Sequence, residues 1–255
     1  KQIIVSPIDI TPPVTIKEIC NPKYSNGTYI TSNTSIWLNA TDDISGVNYT
    51  HYEIWLDSDK NGIVDLQVEN AIIYDNSEAD LDSTVGNISI KLNLTAGCKY
   101  EIKFYSVDNA GNTEEIHNQT HYVDDNPPVT ILEENEPVYI DDRGIWVTSD
   151  TFLYLNASDY PVCGCGVNSS WYKIDDGSWT LYQGRIAILG EGEHILYYYS
   201  VDNLGNKETI RNQTVYVDDT PPTTVVNITY DRYGNIRYVT LTADDDGGVG
   251  HCMVY

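Results

Sequence analysis

The sequence repeats itself, and the spacing of the repeat limits the fold more than any other feature does. "YSVDNAGNTEE" occupies residues 105–115, and "YSVDNLGNKET" occupies residues 199–209, 94 positions later. Pro-Pro pairs set the same frame, in "DITPPVT" at Pro12-Pro13, "DDNPPVT" at Pro127-Pro128 and "DDTPPTT" at Pro221-Pro222. The last two pairs are also 94 residues apart, so the middle unit is one complete copy. The first unit measures 115 residues between its pairs. Its "LNATDD" (38–43) matches "LNASDY" (155–160), and its "HYEI" (51–54) matches "WYKI" (171–174). About 26 extra residues therefore lie between His51 and Tyr105, as a loop-type insertion. A third unit begins at Thr220, repeats "LTADDDGGVG" (241–250) and ends in "HCMVY". At the other end, "QIIVSPIDITPP" is similar to "QTVYVDDTPP", the close of a unit and its linker. The expected organisation is the last strand of a preceding repeat at 1–10, complete domains at 11–125 and 126–219, and the start of another at 220–255, cut from a longer array.

Within the units the period is two. Ile36, Leu38 and Ala40 share one face of a strand, as do Leu153, Leu155 and Ala157, and Val239, Leu241 and Ala243. "KYEIKFYSVDNAG" sends Tyr100, Ile102, Phe104 and Ser106 inward, and "HILYYYSVDNLG" sends Leu196, Tyr198 and Ser200 to the same places. The outward set Ile195, Tyr197 and Tyr199 is unusually apolar. It reads either as a contact surface or as a face covered by a neighbouring strand. Twenty-one tyrosines with one methionine suit pleated, half-buried strands, so the chain is expected to be all-β. Lys and Arg total 14 against 38 Asp and Glu, a net charge of −24 that excludes nucleic acid and anionic membranes as partners. No apolar run is long enough for a spanning helix.

The stretch "YKIDDGSWTLYQG…EGEHILYYYSVDNLGNKE" (172–208) resembles the immunoglobulin-like repeats of many bacterial and archaeal surface proteins. They share the Y-x-hydrophobic-D-x-G hairpin, the G-x-H strand start and the D-x-x-G-N turn. The resemblance implies tandem immunoglobulin-like (fibronectin III-like) antiparallel β-sandwiches. It further implies an extracellular, non-enzymatic structural role in a surface layer, sheath or filament. Partners would be other copies or neighbouring surface proteins, met through strand edges and aromatics such as Trp37 and Tyr154. An adhesin stalk and an accessory region of a secreted hydrolase are the alternatives, and an archaeal source fits the domain type. In this topology Cys20 and Cys98 fall at one end of the first sandwich, which implies a Cys20–Cys98 disulfide. Cys163 and Cys165 would pair with each other or across a junction, and Cys252 with a residue elsewhere. The same topology gathers Asp124 and Asp125 near Asp159 and Asp202, a junction cation site. Equivalent sets are Asp9, Asp42 and Asp108, then Asp218, Asp219 and Asp244. The competing reading is that these aspartates accept turn amides.

Two further patterns carry chemistry. "DSDKNGIVD" (57–65) spaces Asp57, Asp59 and Asn61 alternately, turns at Gly62 and closes on Asp65. Hard oxygen donors on a curled backbone suit Ca²⁺, with the Ile63 carbonyl as a further ligand. Val68 stands where an EF-hand has its closing Glu, and a plain acidic hairpin is the alternative reading. N-x-S/T sequons occur at Asn26, Asn33, Asn39, Asn48, Asn87, Asn93, Asn118, Asn156, Asn168, Asn212 and Asn227. That is well above the roughly three or four expected by chance, which points to N-linked glycans on an exported chain. The five histidines fall into no nucleophile–base arrangement, and the Cys/His spacings do not suit zinc.

Overall fold

The computed structural model describes residues 8–74, 87–95, 97–159 and 163–245, so the readings placed on residues 1–7 and on Cys252 lie outside the described residues. The chain forms two compact units. The first comprises residues 1–127 with the loops 159–166 and 202–206, and the second comprises the remainder. Among the described residues every regular element is a strand, and no helix is long and apolar enough to cross a membrane.

The first sandwich uses β1 (Val14–Ile19), β2 (Lys23–Tyr24), β3 (Tyr29–Ile30), β4 (Ser35–Thr41), β5 (Val47–Leu56), β6 (Leu66–Tyr74), β7 (Ile88–Asn93), β8 (Lys99–Asp108) and β9 (His117–Val123). One sheet has the order β1-β4-β7 and the other β2-β3-β9-β8-β5-β6. All pairings are antiparallel except β3 on β9. Alternation explains why the sheets stack. Ile36, Leu38 and Ala40 of β4 and Ile88, Ile90 and Leu92 of β7 are buried against Ile54, Tyr100, Ile102 and Phe104 of the facing sheet. Each Ile, Leu or Phe among them contributes about 1.5–3 kcal/mol on leaving water.

The second sandwich repeats the plan with β10 (Val129–Glu134), β11 (Val138–Ile140), β12 (Ile145–Val147), β13 (Phe152–Ser158), β14 (Val167–Ile174), β15 (Thr180–Leu181), β16 (Ile186–Ala187), β17 (Gly192–Asp202) and β18 (Arg211–Val217). Its sheets are β10-β13-β16 and β11-β12-β18-β17-β14-β15, enclosing Leu153, Leu155, Ile186, Leu196, Tyr198 and Val215. Two Greek-key-type layers with this strand order make the fold an immunoglobulin-like, fibronectin III-like sandwich, built twice. The extra length of the first copy supplies β6, nine residues long where β15 has two, and part of it falls in residues 75–86, outside the described residues.

Two faces differ from the alternation argument. The outward rings of β17 are covered from within their own unit: the Lys173 Nζ lies 4.6 Å from the Tyr197 centroid, the Lys207 Nζ lies 3.7 Å from that of Tyr199, and Trp179 meets Tyr199 edge-on. The hairpin of β19 (Thr223–Tyr230) and β20 (Ile236–Asp244) exposes Val239 and Leu241, the counterparts of buried core residues. Among the described residues the hairpin forms its own sheet, with no second layer over that face.

Candidate functional site

The repeated turn is a clasp. Asp108 and Asn112 close it: the Asn112 N–H donates to Asp108 Oδ1 at 2.8 Å, and the Asn112 side-chain amide donates to Asp108 Oδ2 at 2.7 Å and to the Asp9 carbonyl at 3.3 Å. Gly111, at φ +93°, supplies the left-handed residue that such a turn needs. Asn109 reaches sideways and donates to the carbonyls of Ser45 and Gly46. One short motif therefore ties the chain entering the sandwich, the loop after β4 and the β8–β9 connection. The second copy has the same bonds, from Asn206 to Asp202 and to the Asp124 carbonyl, and from Asn203 to the carbonyls of Cys165 and Gly166. The β19–β20 turn, "DRYGN", closes in the same way between Asp231 and Asn235.

A glutamate whose side chain is shielded from water locks the base of each clasp. Glu114 accepts the Thr15 N–H at 3.0 Å, the Thr15 hydroxyl and the Ser106 N–H at 2.8 Å. Glu208 accepts the same three groups from Thr130 and Ser200. The Thr15–Ser106 and Thr130–Ser200 hydroxyl pairs are each 2.7 Å apart. The sequence carried the signal, since both glutamates sit at the same place in the repeated stretch, but strand alternation does not mark residues beyond the turn.

Around the clasps the acidic residues gather as expected, with changes. Asp9, Asp42 and Asp108 bring their carboxylates within 4.8 Å of one another, and Asp124, Asp159 and Asp202 do so together with Cys165. Asp125 is not part of its group; its Oδ1 accepts the Ser32 N–H at 2.8 Å, as Asp219 accepts that of Ser149. In the third set the aspartate that acts on Asp218, beside Glu191, is Asp245 in place of Asp244, because Asp245 aligns with Asp42 and Asp159. Turn amides supply much of the compensation. Asp42 Oδ1 takes the N–H groups of Ser45 and Gly46 at 2.8 and 2.7 Å, Asp124 takes those of Asn126 and Cys165, and Asp159 takes that of Gly166. Hydrogen bonds from Ser45 and Thr11 hold the carboxyl of Asp9 below its ordinary value. Burial pushes its counterpart Asp124 up, and pushes the Cys165 thiol up to about 12. The Asp124 group thus pairs three carboxylates with a neutral thiol, a poor set for a hard cation. The Asp9 group is all oxygen.

The loop at 57–65 also folds on its own amides. Asp57 accepts the N–H groups of Asn61 and Gly62 at 3.1 and 2.7 Å, Asp59 accepts the Asn61 side chain at 2.8 Å, and Asn61 Oδ1 accepts the Ile63 N–H at 2.8 Å. Asp65 binds the Ser58 N–H and hydroxyl, which hold its carboxyl below the ordinary range. Gly62 takes φ +92° and its carbonyl accepts Lys99 Nζ. Asp57, Asp59 and Asp65 do not form a group as tight as the two above. The donors are oxygen throughout, so their chemistry fits calcium.

The disulfide is a correction. Cys98 bridges Cys163, with Cα atoms 5.4 Å apart, and Cys20 is free, so the Cys20–Cys98 pair does not form. Cys20 continues the β1-β4-β7 sheet, donating its N–H to the Ser35 carbonyl, whereas Cys98 leads into β8 of the facing sheet. The Cys98 sulfur is taken by Cys163 on the 159–166 loop, which leaves Cys20 without a partner thiol among the described residues. Of the sequon asparagines, Asn39 and Asn48 are half-buried, while Asn26, Asn33, Asn87, Asn93, Asn118, Asn156, Asn168, Asn212 and Asn227 are exposed.

No protein-family model and no curated protein matches the chain. Among solved structures, the fibronectin(III)-like modules of CbhA from Clostridium thermocellum align over 79% of this chain and 94% of theirs, with 15% identity and a TM-score of 0.33. Dimeric latent PorU from Porphyromonas gingivalis aligns over 89% of this chain and 29% of its own, with 11% identity and a TM-score of 0.30. Both are distant likenesses, and the fold class rests on the strand order and the two cores.

Proposed function

We propose that this chain is a structural segment of an extracellular surface layer, sheath or filament, strung from immunoglobulin-like sandwiches and without catalytic activity. The observation that supports it is the reuse of one polar clasp around each incoming Pro-Pro segment. A flexible spacer needs no such bonds, so their duplication favours an array that transmits tension over a stalk that only sets distance. Sequon asparagines that are never buried, together with a disulfide, suit an exported and N-glycosylated chain. The net charge of −24 suits a hydrated outer surface. Contacts would run through strand edges to other copies or to neighbouring surface proteins. Calcium belongs to the proposal at Asp57, Asp59, Asn61, the Ile63 carbonyl and Asp65, where it would stiffen the turn that leads from β5 to β6.

The test is immunogold labelling of intact cells before and after a chelator wash. The expected result is label in the outermost layer that thins after the wash. Label found only inside permeabilised cells overturns the surface role, and label unchanged by chelation removes calcium from it.

A further inference from the structure

A cavity of about 560 Å³ opens in the first unit between β1, the β2–β3 turn and β9. Its lining is the reverse of the rest of the molecule. The chain carries 38 acidic and 14 basic residues, yet Lys17 and Lys23 line this cavity with His117 and His121, and no Asp or Glu is among the lining residues, Glu114 lying 3.6 Å from His117. The His121 ring is buried. Its Nδ1 faces the Gly27 carbonyl at 2.7 Å and must donate there, so Nε2 accepts from Lys17 Nζ at 2.6 Å. A neutral imidazole of this kind gives Lys17 a hydrogen bond but no charge compensation. Among the described residues, no carboxylate pairs with Lys17. Burial holds the Lys17 amine down to about 8 and the His121 imidazole down to about 4.

The second sandwich shows what these positions hold when only packing is asked of them. Lys17 and His121 align with Leu132 and Val215, which join the second hydrophobic core. The polar pair of the first copy is therefore not required by the fold, and it carries the cost of a half-buried, uncompensated cation. An anion entering the cavity would offset that cost. The remaining donors and acceptors, among them Asn26, Thr28 and Gln119, match hydroxyl groups better than an apolar chain, and the volume exceeds what a bare carboxylate fills.

We propose that this cavity binds an acidic sugar, a hexuronate whose carboxylate pairs with Lys17 and whose hydroxyls bond to Asn26, Thr28 and Gln119. The site is independent of the surface-layer reading and stands or falls separately. The test uses protein made without N-glycans, so that Asn26 carries no sugar. D-glucuronate, D-glucose and acetate are each titrated while the His121 ring and the Gln119 and Thr120 amides are followed by NMR. Saturable shifts with glucuronate in the millimolar range, weaker responses to acetate and none to glucose are expected. The double variant Lys17→Leu/His121→Val takes the residues of the second sandwich. It should keep its melting temperature or exceed it, and should bind glucuronate more than about tenfold more weakly. Lys17→Met is the second variant should the double one fail to fold. No saturable shift, an equal response to glucose or acetate, or undiminished affinity in the folded variant overturns the assignment.

Discussion

His121 and His194 show how one residue type takes opposite roles a single strand apart in the repeat. His194 lies between the Asp175 carboxylate at 2.8 Å and the Gly190 carbonyl at 3.0 Å, so both ring nitrogens donate and its pKa rises, the hydrogen bond it gives to Asp175 being the main cause. His121 is buried beside Lys17, and burial lowers its value to about 4 from 6.5. A lowered base favours the folded state while neutral. Its contribution is complete above pH 6.5 and is lost as the pH falls through about 4, a difference of about 3 kcal/mol. Urea unfolding at pH 7 and pH 4 checks this. The stability gap between wild type and His121→Gln should shrink by about that amount at the lower pH, and a gap that does not change with pH refutes it. None of this was legible in the sequence. Alternation placed neither Lys17 nor His121 in a cavity, because the cavity needs the β2–β3 turn folded beneath β9, a contact across about a hundred residues.

At the scale of elements, the clasp depends on its buried glutamate. Glu208 takes two N–H groups and a hydroxyl while almost wholly shielded from water, and Arg211 approaches it at 3.4 Å. Glu208→Ala leaves those donors unpaired and should cost about 3 kcal/mol, measured as a shift in urea midpoint at constant slope. Glu208→Gln, which keeps two acceptor sites on one oxygen, should cost less. Equal stability of all three proteins would show that water replaces the carboxylate. The strand faces of β4, β8, β13 and β17 were readable beforehand, since a sandwich buries every second residue and nothing else about the strand is needed. The clasp was visible only as a repeated string. Its asparagines bond to carbonyls of distant loops, and spacing along a chain does not say which loops meet. The acid groups were found with Asp125 wrongly included and Cys165 omitted, because a turn's neighbours depend on which side of the backbone each residue faces.

At the scale of the whole molecule, a covalent link joins Cys98 to Cys163, 65 residues apart in sequence. Peptide mapping under non-reducing conditions should recover these two cysteines in one linked species, with Cys20 alkylated as a free thiol. Reduction should lower stability by about 4 kcal/mol on the chain-entropy estimate for a loop of this length. A Cys20–Cys98 peptide would refute the pairing. The sequence placed Cys98 at the same end of the first sandwich as Cys20, and it left Cys163 open to a bond with Cys165 or across a junction. It did not show that the loop carrying Cys163 reaches Cys98, which is where the first expectation went wrong. The bridge also changes what a pull on the chain would meet. Force entering at one terminus and leaving at the other crosses from Cys98 to Cys163 through sulfur, so the residues between them never come under load. Roughly 220 Å of contour stays locked away until the bond is reduced. The redox state of the surroundings would then decide whether that quarter of the chain can be drawn out, while the sheets govern the rest.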